Sequence, residues 1–381
     1  MTQADLGTLV FLVSHSSAGG AQEIWANLAE GFFARGFRVK LCALYPYRAL
    51  VRETAPETPW HYIVDRRPTS PLAQIRMLRR LAQFLRREKP VAVLTAMPAA
   101  NVLGPLIGRI SAPQVPFVLS HHSPVETHNR WLNMADSIVG TLRNVSAVVS
   151  VSETVSRSLD GKPTGYRRKR RTIHNALPPR IERHLETLAT QRDGWSPEGR
   201  RLVATGRLAE QKNYPALLRA ARRLPDVTVS IVGSGPDEGK LKRLAAELGV
   251  AERVSFLGQK TREEALAVLG QGDIFVQPSL FEGHSLGLIE AAKLALPLVV
   301  SNVPVQIEGI TGPDGRVCGI AVDPQDDEAL AQAVRKLLDD RTSFELWSAR
   351  ASELGSAATF ERMMTQYEAL IGAKGEERGR A

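Results

Sequence analysis

The feature that most constrains the fold is a rhythm. Short β-branched or apolar runs alternate, almost end to end, with amphipathic helical stretches. In the first half, strands are predicted at Thr8–Ser14, Arg38–Ala43, Val91–Thr95, Phe117–Ser120 and Ala147–Val151, with helices at Ala21–Arg35, Pro71–Lys89 and Asn101–Ile110. A further short strand is predicted near Arg171–His174. Then comes "NALPPRIERHLETLATQRDGWSPEGRR", whose prolines and polar, glycine-marked end read as a linker with room for one short helix. Past it the rhythm restarts, with strands predicted at Arg201–Thr205, Thr228–Val232, Val254–Phe256, Ile274–Gln277 and Leu298–Ser301 between further helices. Strands that alternate with helices form parallel sheets covered on both faces, so two α/β layers in tandem are expected. A chain of 381 residues suits two such domains.

Composition narrows the class. The chain is 43% hydrophobic and 23% charged, as in folded globular proteins. No apolar run reaches the roughly 18 residues of a membrane span, and "TLVFLVS" near the start lacks the flanks of a signal peptide, so cytoplasmic residence is the expectation. Cys42 and Cys318 are the only cysteines, which excludes a disulfide scaffold. The net charge of +9 is concentrated in "IRMLRRLAQFLRREK" from Ile75 and "GYRRKRR" from Gly165. Helical spacing puts Ile75, Leu78, Leu81, Ala82 and Leu85 on one side of the first stretch. Arg76, Arg79, Arg80, Arg86, Arg87 and Lys89 fall mostly on the other. Such a face is ordinarily solvated, and it also suits anionic lipid. With a single aromatic residue in each stretch, Phe84 and Tyr166, aromatics are not interleaved as a base-stacking surface needs, so no nucleic-acid partner is expected.

In open parallel sheets, ligands bind at the loops beyond the carboxyl ends of the strands. Four such loops carry chemistry. "SHSSAGGAQEIW" places Gly19 and Gly20 at a helix start, where free N–H groups favour an anion. "VATGRLAEQKN" offers Arg207 and Lys212, two cations able to neutralise a diphosphate without a metal. "IVGSGPDEGK" carries Gly233 and Gly235, but the third glycine, Gly239, comes one position late for a dinucleotide fingerprint. Finally "PSLFEGHSLGLIEA" sets Glu282 in a loop and Glu290 inside the helix that follows. Between them, the N–H groups from His284 to Leu288 are expected to receive phosphate oxygens. Glu290 lies in an Ala-rich run that suggests burial, and an unpaired buried carboxylate is costly, so a hydroxyl-rich ligand is its expected partner.

With these stretches in place the chain resembles the retaining family-4 glycosyltransferases of the GT-B fold. The resemblance runs through "GGAQEIWANLAEGFFARGFRVKL", "GRLAEQKNYPALLRA", "VGSGPDEGKLKRLAAELGVAERVSFLG" and the two-glutamate motif "EGHSLGLIE". It implies an α/β architecture of two Rossmann-like, doubly wound parallel-sheet domains facing a central cleft. An acceptor-binding domain over 1–180 would be completed by a returning helix near 356–372, with a donor-binding domain over 181–355 and a polar tail at 373–381.

By the same resemblance, Arg207 and Lys212 match the cations on the donor diphosphate, and Glu290 matches the carboxylate on the ribose. Glu282 matches the glutamate near the donor sugar. Gly206, Gly233 and Gly235 belong to the donor loops, as do Gly283 and the backbone of His284, Ser285 and Leu286. Gly19 and Gly20 match the loop facing the diphosphate. His121 and His122 match the histidine that approaches the transferred sugar, His122 with the better spacing. Where many members carry an aromatic residue or Pro-Asn after Glu-Gly, this chain has His284-Ser285.

The implied reaction is retaining transfer of a hexosyl unit from a nucleoside diphosphate sugar to a hydroxyl of a glycan or lipid-linked glycan. Surface polysaccharide, lipopolysaccharide or glycolipid synthesis is the implied setting. No metal and no cofactor beyond the donor are expected, and the basic helix suggests peripheral association with the inner face of an anionic membrane. Two alternatives stay open: an epimerase or phosphorylase on the same fold, and a non-catalytic nucleotide-sugar binder.

Overall fold

The structure is a computed structural model that describes residues 6–17, 19–47 and 54–372. The polar tail at 373–381 lies outside the described residues. The chain forms two compact units, Met1–Asn175 with Phe360–Ala381 and Ala176–Thr359.

In the first unit, β1 (Thr8–His15), β2 (Arg38–Tyr45), β3 (Trp60–Tyr62), β4 (Ala92–Ala96), β5 (Phe117–His121), β6 (Val145–Ser150) and β7 (Arg170–Thr172) form one sheet in the order β3-β2-β1-β4-β5-β6-β7. Every pairing in it is parallel. The helices are α1 (Gly20–Ala34), α2 (Pro71–Glu88), α3 (Pro98–Ser111), α4 (Arg130–Val139) and the short α5 (Glu153–Arg157) and α6 (Thr164–Arg167). Because helices cover both faces, central strands are buried throughout; Leu9 to Val13 of β1 are wholly inaccessible.

The second unit begins with α7 (Pro179–Thr190). Its strands β8 (Arg201–Thr205), β9 (Thr228–Val232), β10 (Val254–Phe256), β11 (Ile274–Gln277), β12 (Leu298–Ser301) and β13 (Ile320–Val322) pair in the parallel order β10-β9-β8-β11-β12-β13. Its other helices are α8 (Tyr214–Arg222), α9 (Glu238–Glu247), α10 (Arg262–Gly270), α11 (Leu286–Lys293), α12 (Pro304–Gly309), α13 (Asp327–Asp339) and α14 (Arg341–Ala357). The last helix, α15 (Phe360–Gly372), belongs to the first unit. Arg35 at the end of α1 holds it through Glu361 and Glu368, each at 2.5 Å, while Tyr367 sets its ring edge-on to Trp25.

Three expectations are corrected. The stretch read as a linker with room for one short helix holds α7, which starts on Pro179 and, far from merely linking, buries Ile181 and Leu185 in the second core beside Leu266 and Ala291. Proline is tolerated at a first helical position, so it marked the start of a helix there and not a break. In α2 the buried side is Met77, Leu81 and Leu85; Leu81 and Leu85 lie as predicted, whereas Ile75 is 47% exposed and Met77 takes the inward place. "GYRRKRR" is only partly a free basic patch. Tyr166 is fully buried, Lys169 donates to the carbonyls of Gly140 (2.9 Å) and Leu142 (2.7 Å), and Arg170 pairs with Asp160 at 2.7 Å.

Candidate functional site

In the second sheet the strand order reverses between β8 and β11, which pair side by side from Ile274 opposite Leu202. Chain connections leave that point in opposite directions, so the loops beyond the two strands diverge and open a crevice. The loop after β8 carries Gly206, Arg207 and Lys212; the loop after β11 carries Glu282 and Gly283 and runs into α11. The first turn of α11 lies close on β8, since a Cβ at Gly287 would fall 2.3 Å from Thr205 Oγ1.

Here the structure joins residues that the sequence left apart. Lys212 Nζ lies 2.7 Å from Glu282 Oε1, and both side chains are nearly buried. Ser279 Oγ donates to the same Oε1 at 2.8 Å, and Gln211 Nε2 donates to Oε2 at 3.3 Å and to the Phe281 carbonyl at 3.0 Å. The two loops are thus clasped by one ion pair and its neutral supports. Arg207 is exposed, and no ion pair to it is found among the described residues. A cation held rigidly by a carboxylate, a second cation free to move and a helix start form an anion-binding arrangement.

At the head of α11, Ser285 is the N-cap: its Oγ accepts from the Leu288 N–H at 3.3 Å and donates to Gln277 Oε1 at 2.8 Å. This corrects the expected anion site, because the Leu288 N–H is already used by the cap. The Leu286 and Gly287 N–H groups, earlier in that turn, have no intrahelical acceptor.

Glu290 brings a larger correction. It is buried, as expected, but its carboxylate is paired with Arg262, the first residue of α10. The protein itself supplies a charged partner for the carboxylate, where the sequence reading looked to a hydroxyl-rich ligand. A capping box, Thr261 with Glu264, fixes the start of α10 and so aims Arg262.

Gly233 and Gly235 were expected to approach a nucleotide. Their missing side chains are explained by packing: a Cβ on Gly233 would lie 2.0 Å from the Gly206 carbonyl oxygen, and one on Gly235 2.2 Å from that of Leu208. Gly206 and Gly233 also sit at φ 137° and 143°, which favour glycine.

In the first unit the adjacent His121, the last residue of β5, and His122, just beyond it, meet different surroundings. His121 is buried in a polar network. Its Nε2 is hydrogen-bonded to the Tyr166 hydroxyl (2.8 Å), which donates to Asp136 Oδ2 (2.9 Å), and Asp136 is paired with Lys162 at 2.8 Å. His121, expected to face the donor, is thus placed within this buried network. His122 instead meets Trp25 edge-on at 5.2 Å and is hydrogen-bonded to Ser120 Oγ at 3.0 Å. Burial, then the neighbouring His121, pushes its pKa down to about 3, so its imidazole is neutral at physiological pH. Gly20 opens α1 with space around it, since a Cβ there would meet nothing within 4 Å; one on Gly19 would meet Gln22 Oε1 at 2.9 Å.

A pH dependence of stability follows. His122 and His128 are both held down in the fold, to about 3 and about 4 against 6.5, so between those values the unfolded chain binds more protons. Stability therefore rises with pH across this window and is lost as pH falls from about 6.5 toward 4. Urea midpoints measured across that range are expected to fall with acidification, and His122→Gln is expected to flatten the slope. An unchanged slope in that variant would count against the buried neutral imidazole.

Sequence reasoning missed Gln211, Ser279 and Arg262, which hold the two glutamates. It also missed His15 at the end of β1, whose Nδ1 lies 2.9 Å from Ser17 Oγ and whose ring faces Tyr47 at 5.0 Å. Gln211 and Ser279 flank motif residues and could have been suspected as supports; Arg262 and His15 carry no local signal.

Comparison with known proteins places these loops in a wider group. The family profile "Glycosyltransferase Family 4" matches residues 18–180, and "Glycosyl transferases group 1" matches 189–354. The chain is 31% identical over 223 residues to the D-inositol 3-phosphate glycosyltransferase of Mycobacterium sp. (strain KMS), covering 52% of this chain and 49% of that protein. The match thus spans about half the length of that relative. Against the lipopolysaccharide core biosynthesis glycosyltransferase LpsD of Rhizobium meliloti it is 24% identical over 361 residues, 93% of this chain and 95% of the other. Among solved structures, Anabaena Alr3699/HepE in complex with UDP-glucose superposes with a TM-score of 0.76 at 16% identity, over 96% of this chain and 99% of that one. Sucrose-phosphate synthase from Thermosynechococcus elongatus gives 0.74 at 19% identity, over 96% and 100%. At such identities the likeness is one of fold.

Proposed function

The chain belongs to the family-4 glycosyltransferases of the GT-B fold, and from that premise we propose that it transfers a hexosyl unit from a nucleoside diphosphate sugar to a hydroxyl acceptor with retention at the anomeric carbon. The observation that carries this reading is the Lys212–Glu282 pair at the β8/β11 switch point, beside exposed Arg207 and the start of α11. Leaving-group charge is the main electrostatic demand of such a transfer, and fixed cations with a helix N-terminus meet it without reorganising. In this reading Lys212 and Arg207 bind the diphosphate, and the N–H groups ahead of Leu288 complete its shell. Glu282 orients hydroxyls of the donor sugar while it holds Lys212, and Glu290, itself held by Arg262, takes the ribose. The departing phosphate accepts the acceptor's proton on the face it leaves, so no protein nucleophile is required. His122, neutral, offers a hydrogen bond to the transferred sugar.

The acceptor in this reading is a glycan or lipid-linked glycan, supported by the relatives' printed roles in lipopolysaccharide core biosynthesis and inositol phosphate glycosylation. The basic face of α2 supports residence on the cytoplasmic side at an anionic membrane. Screening UDP-, GDP- and ADP-sugars for nucleotide release with and without a glycan acceptor tests the reading. Acceptor-dependent release with one donor is expected, and it should persist in EDTA because the assigned charges are Lys212 and Arg207. Isomerised sugar without acceptor, or turnover only with inorganic phosphate, would turn the assignment to an epimerase or a phosphorylase.

A further inference from the structure

Trp25 of α1 stands between the last helix and the end of β5. Its ring meets Tyr367 of α15 edge-on at 6.2 Å and His122 edge-on at 5.2 Å, so three rings run from α15 to the imidazole that the proposed function turns toward the transferred sugar. Trp25 is held in place. It is wholly buried, and its Nε1 donates to the Leu94 carbonyl of β4 at 3.3 Å. α15 is fastened as firmly on α1. A Cβ on Gly31 would fall 2.8 Å from Met364 Sδ and 3.0 Å from the Phe360 ring, and Arg35 binds both Glu361 and Glu368. So close an approach leaves the two helices no room to slide.

A polar route joins the same two ends. His122 Nε2 lies 3.0 Å from Ser120 Oγ, and Ser120 is also the hydrogen-bonding side chain at the Tyr367 phenol. Ser120 and Tyr367 are both buried. A serine hydroxyl has one proton, so the way it points decides what the imidazole does. If Ser120 gives that proton to Tyr367, the neutral His122 carries its own on Nε2, and Nδ1 is left as an acceptor. If the phenol donates to Ser120, the serine donates to Nε2, and the imidazole carries its proton on Nδ1. Burial raises the Tyr367 pKa, so the phenol keeps its proton, and Ser120 is the side chain placed to receive it. The second direction uses that buried donor; the first leaves it idle, which is costly.

We propose that Tyr367 is a positioning residue for the transfer: through Trp25 and Ser120 it holds the His122 ring and fixes the tautomer with the proton on Nδ1, the nitrogen left to donate to a hydroxyl of the transferred sugar. Without that control the imidazole would divide its proton between its two nitrogens and meet the hydroxyl as an acceptor for part of the time. The helix that returns from the end of the second unit thus reaches the sugar through one histidine. This inference rests on the transfer reading given above, but the tautomer itself is read without a sugar donor.

The test pairs spectroscopy of the full chain with kinetics. Proton–nitrogen correlation spectra of histidine-labelled protein at neutral pH, with the His122 signal assigned by its loss in His122→Asn, should show the Nδ1–H tautomer in the wild type. Tyr367→Phe keeps the ring against Trp25 and removes only the hydroxyl, so it spares the fold; its His122 signal should move toward Nε2–H. With whichever UDP-, GDP- or ADP-sugar turns over in the release screen, Tyr367→Phe should lower kcat about tenfold at unchanged donor KM, as one misdirected hydrogen bond would. The amide in His122→Asn can donate from the Nδ1 position without a tautomer, so adding Tyr367→Phe there should change kcat by less than about twofold. A wild type in the Nε2–H form, a tautomer unmoved by Tyr367→Phe, or the full kinetic loss repeated in the His122→Asn background would overturn the inference and leave the transfer reading standing. Full turnover in His122→Ala would instead remove His122 from the transfer reading, and the spectra would still decide whether Tyr367 sets its tautomer.

Discussion

Lys212→Ala is expected to lower kcat by about a hundredfold to a thousandfold, the loss typical of removing one charge-stabilising donor from a leaving or developing anion. The side chain sits 2.7 Å from Glu282 in a crevice that holds both almost out of water, so neither charge is screened as it would be on the surface. A structural effect accompanies the chemical one. Without the ammonium, Glu282 keeps only Ser279 and Gln211 as donors, and the variant should lose about 2 kcal/mol of stability. Adding Glu282→Gln separates the two, because the neutral amide needs no counter-charge. The double variant should regain most of the stability and none of the turnover. Recovery of turnover in the double variant would mean that Lys212 acts only by neutralising Glu282, and the phosphate assignment would fall.

The second large effect concerns Arg262. Arg262→Met removes the guanidinium that faces a carboxylate with 7% side-chain exposure, and breaking one side of such a pair costs about 3 kcal/mol, the lower end of the usual range because Arg262 is itself a quarter exposed. Chemical denaturation should report this as a shifted midpoint with an unchanged slope. Glu290→Gln in the same background should restore most of the loss. Glu290→Gln alone should then raise the donor KM by about tenfold with little change in kcat, as expected for a group that binds donor equally in ground and transition states. A normal donor KM in that variant would confine Glu290 to the ion pair.

Much of this was legible in the chain. Alternating strands and helices gave the parallel sheets, because side-chain period and strand burial are local properties written in neighbouring residues. The two-glutamate motif and the Arg207/Lys212 loop were also legible, since loops after strands lie on one edge of a parallel sheet whatever the details. The misreadings share a cause. Ile75 was placed in the core by spacing alone, although what is buried depends on which surface α2 meets. Pro178 and Pro179 were read as punctuation, although proline opens α7.

The sequence by itself determined the α/β class, the tandem organisation and the residues available at the strand ends, because these follow from periodicity and from the backbone needs of loops. Only the tertiary structure decided how those residues divide their work. It paired Lys212 with Glu282 and Arg262 with Glu290 across 70 and 28 positions of chain, and turned His121 inward and His122 toward Trp25. Such partnerships arise because a buried charge must find its counterpart in space, and no local pattern records how far along the chain that counterpart lies.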